Sequence, residues 1–546
     1  MPKLSTYQPE VGPTDVAIIG AGINGLAVAR EAASRGLSVV LIDQDDIGAR
    51  TSAISTRLIH GGLKYLERME LNLVFESIRE RNILLKHAPH LVHPYPMLIP
   101  FSKAQSRPGW MLSCGLLLHD VLSIGKKLPF NRIVFGKRLK EGWPSLVEGG
   151  LKWGGLFQDA NVPLTERLTI ELARDAHERG AVVLTHARVE GLVRGGGRIT
   201  GVRYRDRVDR ELKTVHAKVV INAAGPWVDS VLDLAGAHDR QIGPTKGSHC
   251  VVDAFPGAPD TCIFFESPHD ARPMFVLPWQ GRFMIGTTDL PYDGSLDEIT
   301  IDADETDYLL SAVNQLIPRA KLTADDVLWS YSGVRPLPYV GELDDPSKVT
   351  RDHQIISHDG SDSGLVTIIG GKLTTHRALG EQVADQLQKT LGQRVTRSVT
   401  RSADLPGAPD KPLAKYREWF VAQSALPEDV AGRLVDTYGS AASDIAAIVE
   451  GDPELARVID EDSGAIAAEV LYARREEGAH TLEDIVLRRT LIGINKDVGI
   501  SAAPRVADVL VDAGEWTRAE ADEQLERYGE AVRRFAPRVL AAGEAA

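Results

Sequence analysis

The sequence predicts an α/β protein in which a Rossmann-like region is interleaved with a mixed β-sheet region and followed by an all-α C-terminal domain. Three stretches carry that reading. Residues 15–43 run strand, glycine turn, helix, strand. Residues 365–377 place a second strand and two glycines ahead of a helix, far down the chain. Beyond about residue 395 only helical periodicity remains, with few glycines.

The first stretch is the most informative. Residues 16–19 form an apolar run of buried-strand length. Gly20, Gly22 and Gly25 follow at G-x-G-x-x-G spacing, an Ala-rich helical pattern runs to Arg35, and residues 39–42 make a second buried strand. Asp43 closes the unit, about 20 residues beyond the glycines. Gly20 permits the tight turn, Gly22 lets backbone approach a pyrophosphate, and Gly25 lets helix and strand pack closely. The helix N-terminus then offers unpaired N–H groups and the positive end of its dipole to phosphate. Asp43 is placed to accept hydrogen bonds from a ribose, so a bound dinucleotide is expected.

A chain of 546 residues exceeds one simple core, and two or three lobes are expected. The net charge of −13 argues against nucleic acid as a partner, and any site for an anionic substrate must be locally basic. Cys114, Cys250 and Cys262 form neither a C-x-x-C pair nor a disulfide framework, which fits a reducing cytoplasm. Residues 1–14 read as a polar tail without the apolar stretch of a secretory signal. No apolar run reaches membrane-spanning length, and no metal-ligand motif is present.

Taken in order, residues 15–395 form the main region. Nucleotide-binding segments are expected at about 15–85, 160–235 and 340–395, and substrate segments at about 86–159 and 236–339. The hydroxyl-rich loop at 48–56, with Thr51, Ser52, Ser55 and Thr56, suits phosphate and a flat ring. A helix is expected over 70–90, with Leu71, Val74, Phe75, Ile78, Asn82 and Leu85 along its buried face. An apolar helix over 110–124 precedes six basic residues between Lys126 and Lys140, read as a solvated face or a contact for anionic lipid headgroups. A helix over 164–180 leads to a β-meander that rejoins the parallel sheet at 219–222, where Ala223, Ala224, Gly225 and Trp227 follow. Prolines and glycines at 396–411 mark a linker, and 412–540 a helical domain.

The stretch S-T-R-L-I-H-G-G-L-K-Y-L-E at 55–67 resembles the signature of the FAD-dependent, respiratory glycerol-3-phosphate dehydrogenases. K-G-S-H at 246–249, S-G-V-R-P at 332–336, G-G-K-L-T-T-H-R at 370–377 and T-L-E-D-I-V-L-R-R-T at 481–490 resemble the same family, so the likeness covers nearly the whole chain. Here Arg57 replaces the family's Lys and Lys64 its Arg; lysine keeps the charge but lacks the bidentate fork.

The resemblance implies a two-dinucleotide-binding-domain flavoprotein. It would oxidise sn-glycerol 3-phosphate to dihydroxyacetone phosphate and pass electrons to a membrane quinone. Asn24, His60, Gly61, Val189, Gly333, Gly371, Lys372, Leu373 and Thr374 join the glycines, Asp43, the 51–56 hydroxyls and 223–227 as expected FAD contacts. Arg335, Lys372, Lys64 and Tyr65 are the expected substrate contacts, with Arg335 the leading phosphate clamp. His60 and His249 compete as proton acceptor, with His60 slightly ahead because it sits in H-G-G close to where the ring should lie, and His249 equally suits phosphate. Without a spanning helix, contact with a quinone-bearing membrane must be peripheral, at the inner face of the cell membrane. A helical C-terminal domain suits a homodimer surface. Rival readings are an oxidase using O2, a flavin oxidase of amines or amino acids, and a flavin-dependent regulator or tRNA-binding flavoprotein.

Overall fold

The computed structural model describes residues 4, 11–62, 70–101, 107–123, 128–236, 238–341 and 352–535. Lys64 and Tyr65, like Lys126 and Lys127, lie outside them.

The strands Thr14–Ile19 and Val39–Ile42 pair in parallel, joined by the helix Ile23–Ser34. Thr14–Ile19 also pairs in parallel with Leu212–Asn222, which in turn pairs with Leu365–Ile369. Val182–Leu184 extends the sheet beyond Val39–Ile42. Strands from three distant parts of the chain thus lie side by side, with their carboxyl ends opening on one crevice. The interior strand residues are apolar and almost wholly buried, as a parallel sheet covered on both faces requires. The helices Ile23–Ser34, Thr165–Glu178 and His376–Thr390 cover one face, with Leu26, Leu168 and Leu379 in the shared core. The meander Ala187–Gly195, Arg198–Asp206 and Leu212–Asn222 covers the other.

A second, mixed sheet stands over the crevice. Its middle strands are Thr245–Val252, Arg282–Gly286, Pro273–Trp279, Cys262–Glu266, His93–Pro100 and Trp153–Asn161, and Val327–Arg335 pairs on the far side of Thr245–Val252. The helix Ala303–Leu316 backs it, capped by Asp302 and Glu305 in reciprocal hydrogen bonds.

The helix Leu71–His87 buries Leu73, Val74, Ile78 and Leu84, a face rotated from the expected one; Phe75 is half exposed. Arg81 explains the rotation, because its buried guanidinium reaches the buried Asp159 at 2.7 Å and sets which side turns inward. The linker residues are pinned rather than slack. Ser398 and Thr400 donate to Glu31, Leu405 is buried, and Gly407 N–H donates to Glu171. Among the described residues the C-terminal region is helical apart from one short antiparallel strand pair, Val458–Asp460 with Ala465–Ile466. Among the described residues no helix is long and apolar enough to cross a membrane.

Candidate active site

One cavity of about 520 Å³ lies between the parallel sheet and the mixed sheet. Its floor is the glycine turn. Gly20 has φ +109, and a Cβ there would sit 2.5 Å from the Ala223 carbonyl oxygen. Gly25 does not line the cavity; a Cβ there would meet Gly20 O at 1.9 Å, so this glycine serves helix–strand contact. Gly22 stands at the N-cap of the helix Ile23–Ser34 and brings no side chain of its own; Ile23 N–H donates to Ser52 Oγ at 2.9 Å. Asp43 accepts from Ala21 N–H at 2.5 Å and Asp45 N–H at 2.8 Å. Burial, with the neighbouring Asp45 charge, pushes its carboxyl up to about 6.

The first and last parts of the region meet here. Asn24 Nδ2 donates to Gly370 O at 2.9 Å, and a Cβ on Gly371 would lie 2.6 Å from that nitrogen. Leu373 and Thr374 line the same wall, and Thr374 Oγ1 accepts from His60 N–H at 3.2 Å. Gly22, Val189, Ala223, Ala224, Gly225, Trp227 and Gly333 line the cavity. Gly61 does not: its N–H donates to Asp159.

The loop hydroxyls are partly spoken for. Thr51 donates to Val334 O at 2.8 Å, which spends its proton. Ser52 and Ser55 accept backbone N–H groups, so each keeps its own proton to donate. Thr56 Oγ1 lies 3.0 Å from His249 Nε2.

At the mixed-sheet end stand Arg335, His249 and Arg272, while Lys372 lines the cavity from the wall that follows the parallel strand Leu365–Ile369. Arg335 Nη1 donates to Asp289 at 2.9 Å and Nη2 to Thr287 Oγ1 at 3.1 Å. Gly247 makes room for it, since a Cβ there would lie 2.2 Å from Nη2. Gly286 does the same for His249, whose Cδ2 would be 2.1 Å from an added Cβ. His249 is buried, and burial, then the charges of Arg335 and Arg57, push it down to about 3, so it is a neutral imidazole. Lys372 Nζ donates to Ser77 Oγ at 3.2 Å; burial pushes it down to about 8, against the pull of Glu76, Asp352 and Glu70.

Arg272, Asp289 and Thr287 carry no local motif in the sequence and reach the site through strand pairing. Asp289 holds both arginines: Arg335 through its carboxylate and Arg272 through its carbonyl. Met97, Phe157, Phe264 and Phe275 give the cavity an apolar wall. Lys246, by contrast, turns away to Glu305 at 2.7 Å, and Arg57 is committed to Glu166 in a two-pronged pair.

The glycine cradle, the paired acid and a cationic end with a neutral histidine define a dinucleotide-holding oxidoreductase. The family profile described as FAD dependent oxidoreductase matches residues 15–385, and that described as the C-terminal domain of alpha-glycerophosphate oxidase matches 398–521. A glycerol-3-phosphate dehydrogenase of Synechocystis sp. is 41% identical, covering 96% of this chain and 97% of that protein. A D-erythritol 1-phosphate dehydrogenase of Brucella abortus is 37% identical, covering 87% and 94%. The structure of glycerol-3-phosphate dehydrogenase from Bacillus halodurans complexed with FAD superposes with TM-score 0.77 at 27% identity, covering 96% and 95%. The chain belongs to the FAD-dependent glycerol-3-phosphate dehydrogenase family, and its cofactor is FAD.

Proposed function

We propose that this enzyme oxidises sn-glycerol 3-phosphate at C2 to dihydroxyacetone phosphate. The carrying observation is that Arg335, Arg272 and Lys372 line, together with neutral His249, the cavity that also contains the glycine cradle. Bound FAD supplies the hydride acceptor at N5. Gly20, Gly22, Ser52 and the helix N-terminus take the pyrophosphate, Asp43 the ribose, and Gly371 to Thr374 the ring end. Arg335 clamps the substrate phosphate while Asp289 fixes its fork, and Lys372 adds a second charge. His249, held by Thr56 and by stacking on Tyr331, takes the C2 hydroxyl proton; burial first and the Arg335 charge second lower its basicity, and the substrate phosphate offsets the second. His60 lines the same cavity and is the competing acceptor.

The test is anaerobic. Addition of glycerol 3-phosphate should bleach the flavin band near about 450 nm, a general property of the oxidised ring. Erythritol 1-phosphate, run beside it, separates the two polyol phosphates named among the relatives. Flavin that neither bleaches would discard this substrate class.

For the electron acceptor, the reading is a quinone reached at a membrane surface. The helix Gly109–Leu122 exposes Trp110, Leu117 and Val121, and the adjoining segment exposes Phe130, Ile133 and Phe135. Asn131 ties the two together by donating to Asp120 and Leu116. Arg132, Lys137, Arg138 and Lys140 are exposed beside this apolar set. An apolar patch rimmed by cations suits a bilayer with anionic headgroups. Cosedimentation with anionic vesicles should be lost in Trp110→Ser/Phe135→Ser; pelleting unchanged by both substitutions would remove this face. Rapid reoxidation by O2 in place of quinone would make the enzyme an oxidase.

A further inference from the structure

Asp46 is a buried acid that takes no part in the chemistry above. It sits in the loop from Asp43 to Thr51, nearly all of which lines the FAD cavity. The loop closes on the glycine turn at both ends: Ala21 N–H donates to Asp43, and Gly48 N–H donates to Ala21 O at 3.0 Å. The carboxylate between these two ties is gripped from the other domain. Arg489 places Nη1 at 2.5 Å and Nη2 at 2.8 Å on the two Asp46 oxygens, and Arg488 Nε adds a third contact at 2.5 Å.

Consecutive side chains of an α-helix point about 100° apart and do not ordinarily converge on one partner. Here the turn Ile485–Arg489 is a wide π-type turn, with Thr490 N–H donating to Ile485 O at 3.0 Å. Wide turns of this kind are often found at functional positions. The two arginines are held in turn. Arg488 Nη2 reaches Asp484 at 2.7 Å, and Arg489 Nη2 reaches Glu477 O at 3.2 Å. Asp484 also pairs with the His186 ring, and the His186 backbone N–H donates to Asp45 O. Asp46, His186 and Asp484 cluster closely enough to suggest a cation site, but the arginines already neutralise the acids.

We propose that Arg489, with Arg488, is a positioning residue for the cofactor, and that the helical C-terminal domain sets FAD affinity by holding Asp46 and through it the Asp43–Thr51 loop. Fork-like arginine pairs fix orientation as well as charge, and a loop held in its binding shape does not have to be ordered when the ligand arrives. The inference rests on the FAD assignment alone, so its test stands whichever substrate the enzyme takes.

The experiment uses the full chain, stripped of flavin and reconstituted by titration with FAD. Two variants are read: Arg489→Lys, which keeps the charge and loses the fork, and Asp46→Asn, which keeps the shape and loses the charge. Arg174→Lys is the control, because Arg174 ties the same two domains through Tyr472 and Glu477 without touching the loop. The FAD dissociation constant should rise at least about tenfold in both variants, and the upward shift in melting temperature caused by FAD should shrink. The control should melt lower in both forms with its FAD affinity unchanged. If Arg489→Lys does not fold, Asp46→Asn alone decides. FAD affinity within about twofold of wild type, with the stripped and the FAD-bound protein destabilised alike, would make the contact a plain domain weld and overturn the proposal.

Discussion

His249 lies flat on Tyr331, ring centroids 4.8 Å apart and planes 15° from parallel. The tyrosine hydroxyl donates to Ser55 O, so the stack is anchored to the loop that also carries Thr56. Arg335 projects from the end of the same strand as Tyr331. The proposed acceptor and the proposed phosphate clamp are therefore set by one β-ladder.

His249→Gln should slow flavin reduction by glycerol 3-phosphate about 100-fold while FAD stays bound, whereas His60→Ala should slow it less than about tenfold. Single-turnover mixing under anaerobic conditions measures both. The reverse order would hand the proton to His60.

The same burial makes His249 an acid-sensitive point. Its folded value of about 3 lies below the unfolded value of 6.5, so the stability it contributes is present above 6.5 and is lost as pH falls towards 3. His249→Gln removes that loss, and acid unfolding followed by circular dichroism should shift to lower pH in the variant.

Arg335→Lys should raise KM for glycerol 3-phosphate at least about tenfold, because one charged hydrogen bond of about 1.5–3 kcal/mol and the fork are lost together. Asp289→Asn should raise it less, through a loosened clamp. Steady-state kinetics with saturating FAD checks both.

Lys372 titrates at about 8, where a free lysine would still be charged. In the free enzyme kcat/KM should fall as pH rises through about 8, because the cation that meets the phosphate is lost. Lys372→Arg, charged at all these values, should abolish that limb. In substrate-free protein the sign for stability is opposite: the folded state holds fewer protons than the unfolded between 8 and 10.5, so this group's contribution grows with pH there.

Gly25→Ala should destabilise the protein by at least about 1–3 kcal/mol, since the methyl would lie 1.9 Å from the Gly20 carbonyl oxygen and 3.1 Å from its carbon, and that backbone must shift. Flavin should be lost with it, as the displaced atom belongs to the phosphate turn. Denaturant unfolding and the flavin-to-protein absorbance ratio measure the two effects.

Legibility in the sequence followed the range of the interaction. The strand–glycine–helix unit at 15–43 was readable because every part of its role is local. The motifs at 246–249, 332–336 and 370–377 could be seen, but not which of their residues face the cavity. Lys246 turns to Glu305, while Gly247 is there to seat the Arg335 guanidinium. Arg272 and Asp289 were invisible, for they enter the site only once Pro273–Trp279, Arg282–Gly286 and Thr245–Val252 have paired. The helix face of 71–87 was misjudged because a buried ion pair, Arg81 with Asp159, outweighed the apolar periodicity. Nothing in the spacing of Arg488 and Arg489 signals that both meet Asp46.

The parallel sheet takes its strand Leu365–Ile369 from late in the chain, and Asn24 binds the Gly370 carbonyl just beyond it. During synthesis on the ribosome, the phosphate turn emerges early and waits for more than half of the polypeptide before its opposite wall exists. A nascent chain halted before residue 370 has the sequence signature for its cofactor but no closed place to keep it. Flavin capture is thus a late event in the life of the new chain, and a premature stop anywhere upstream leaves a flavin-free product.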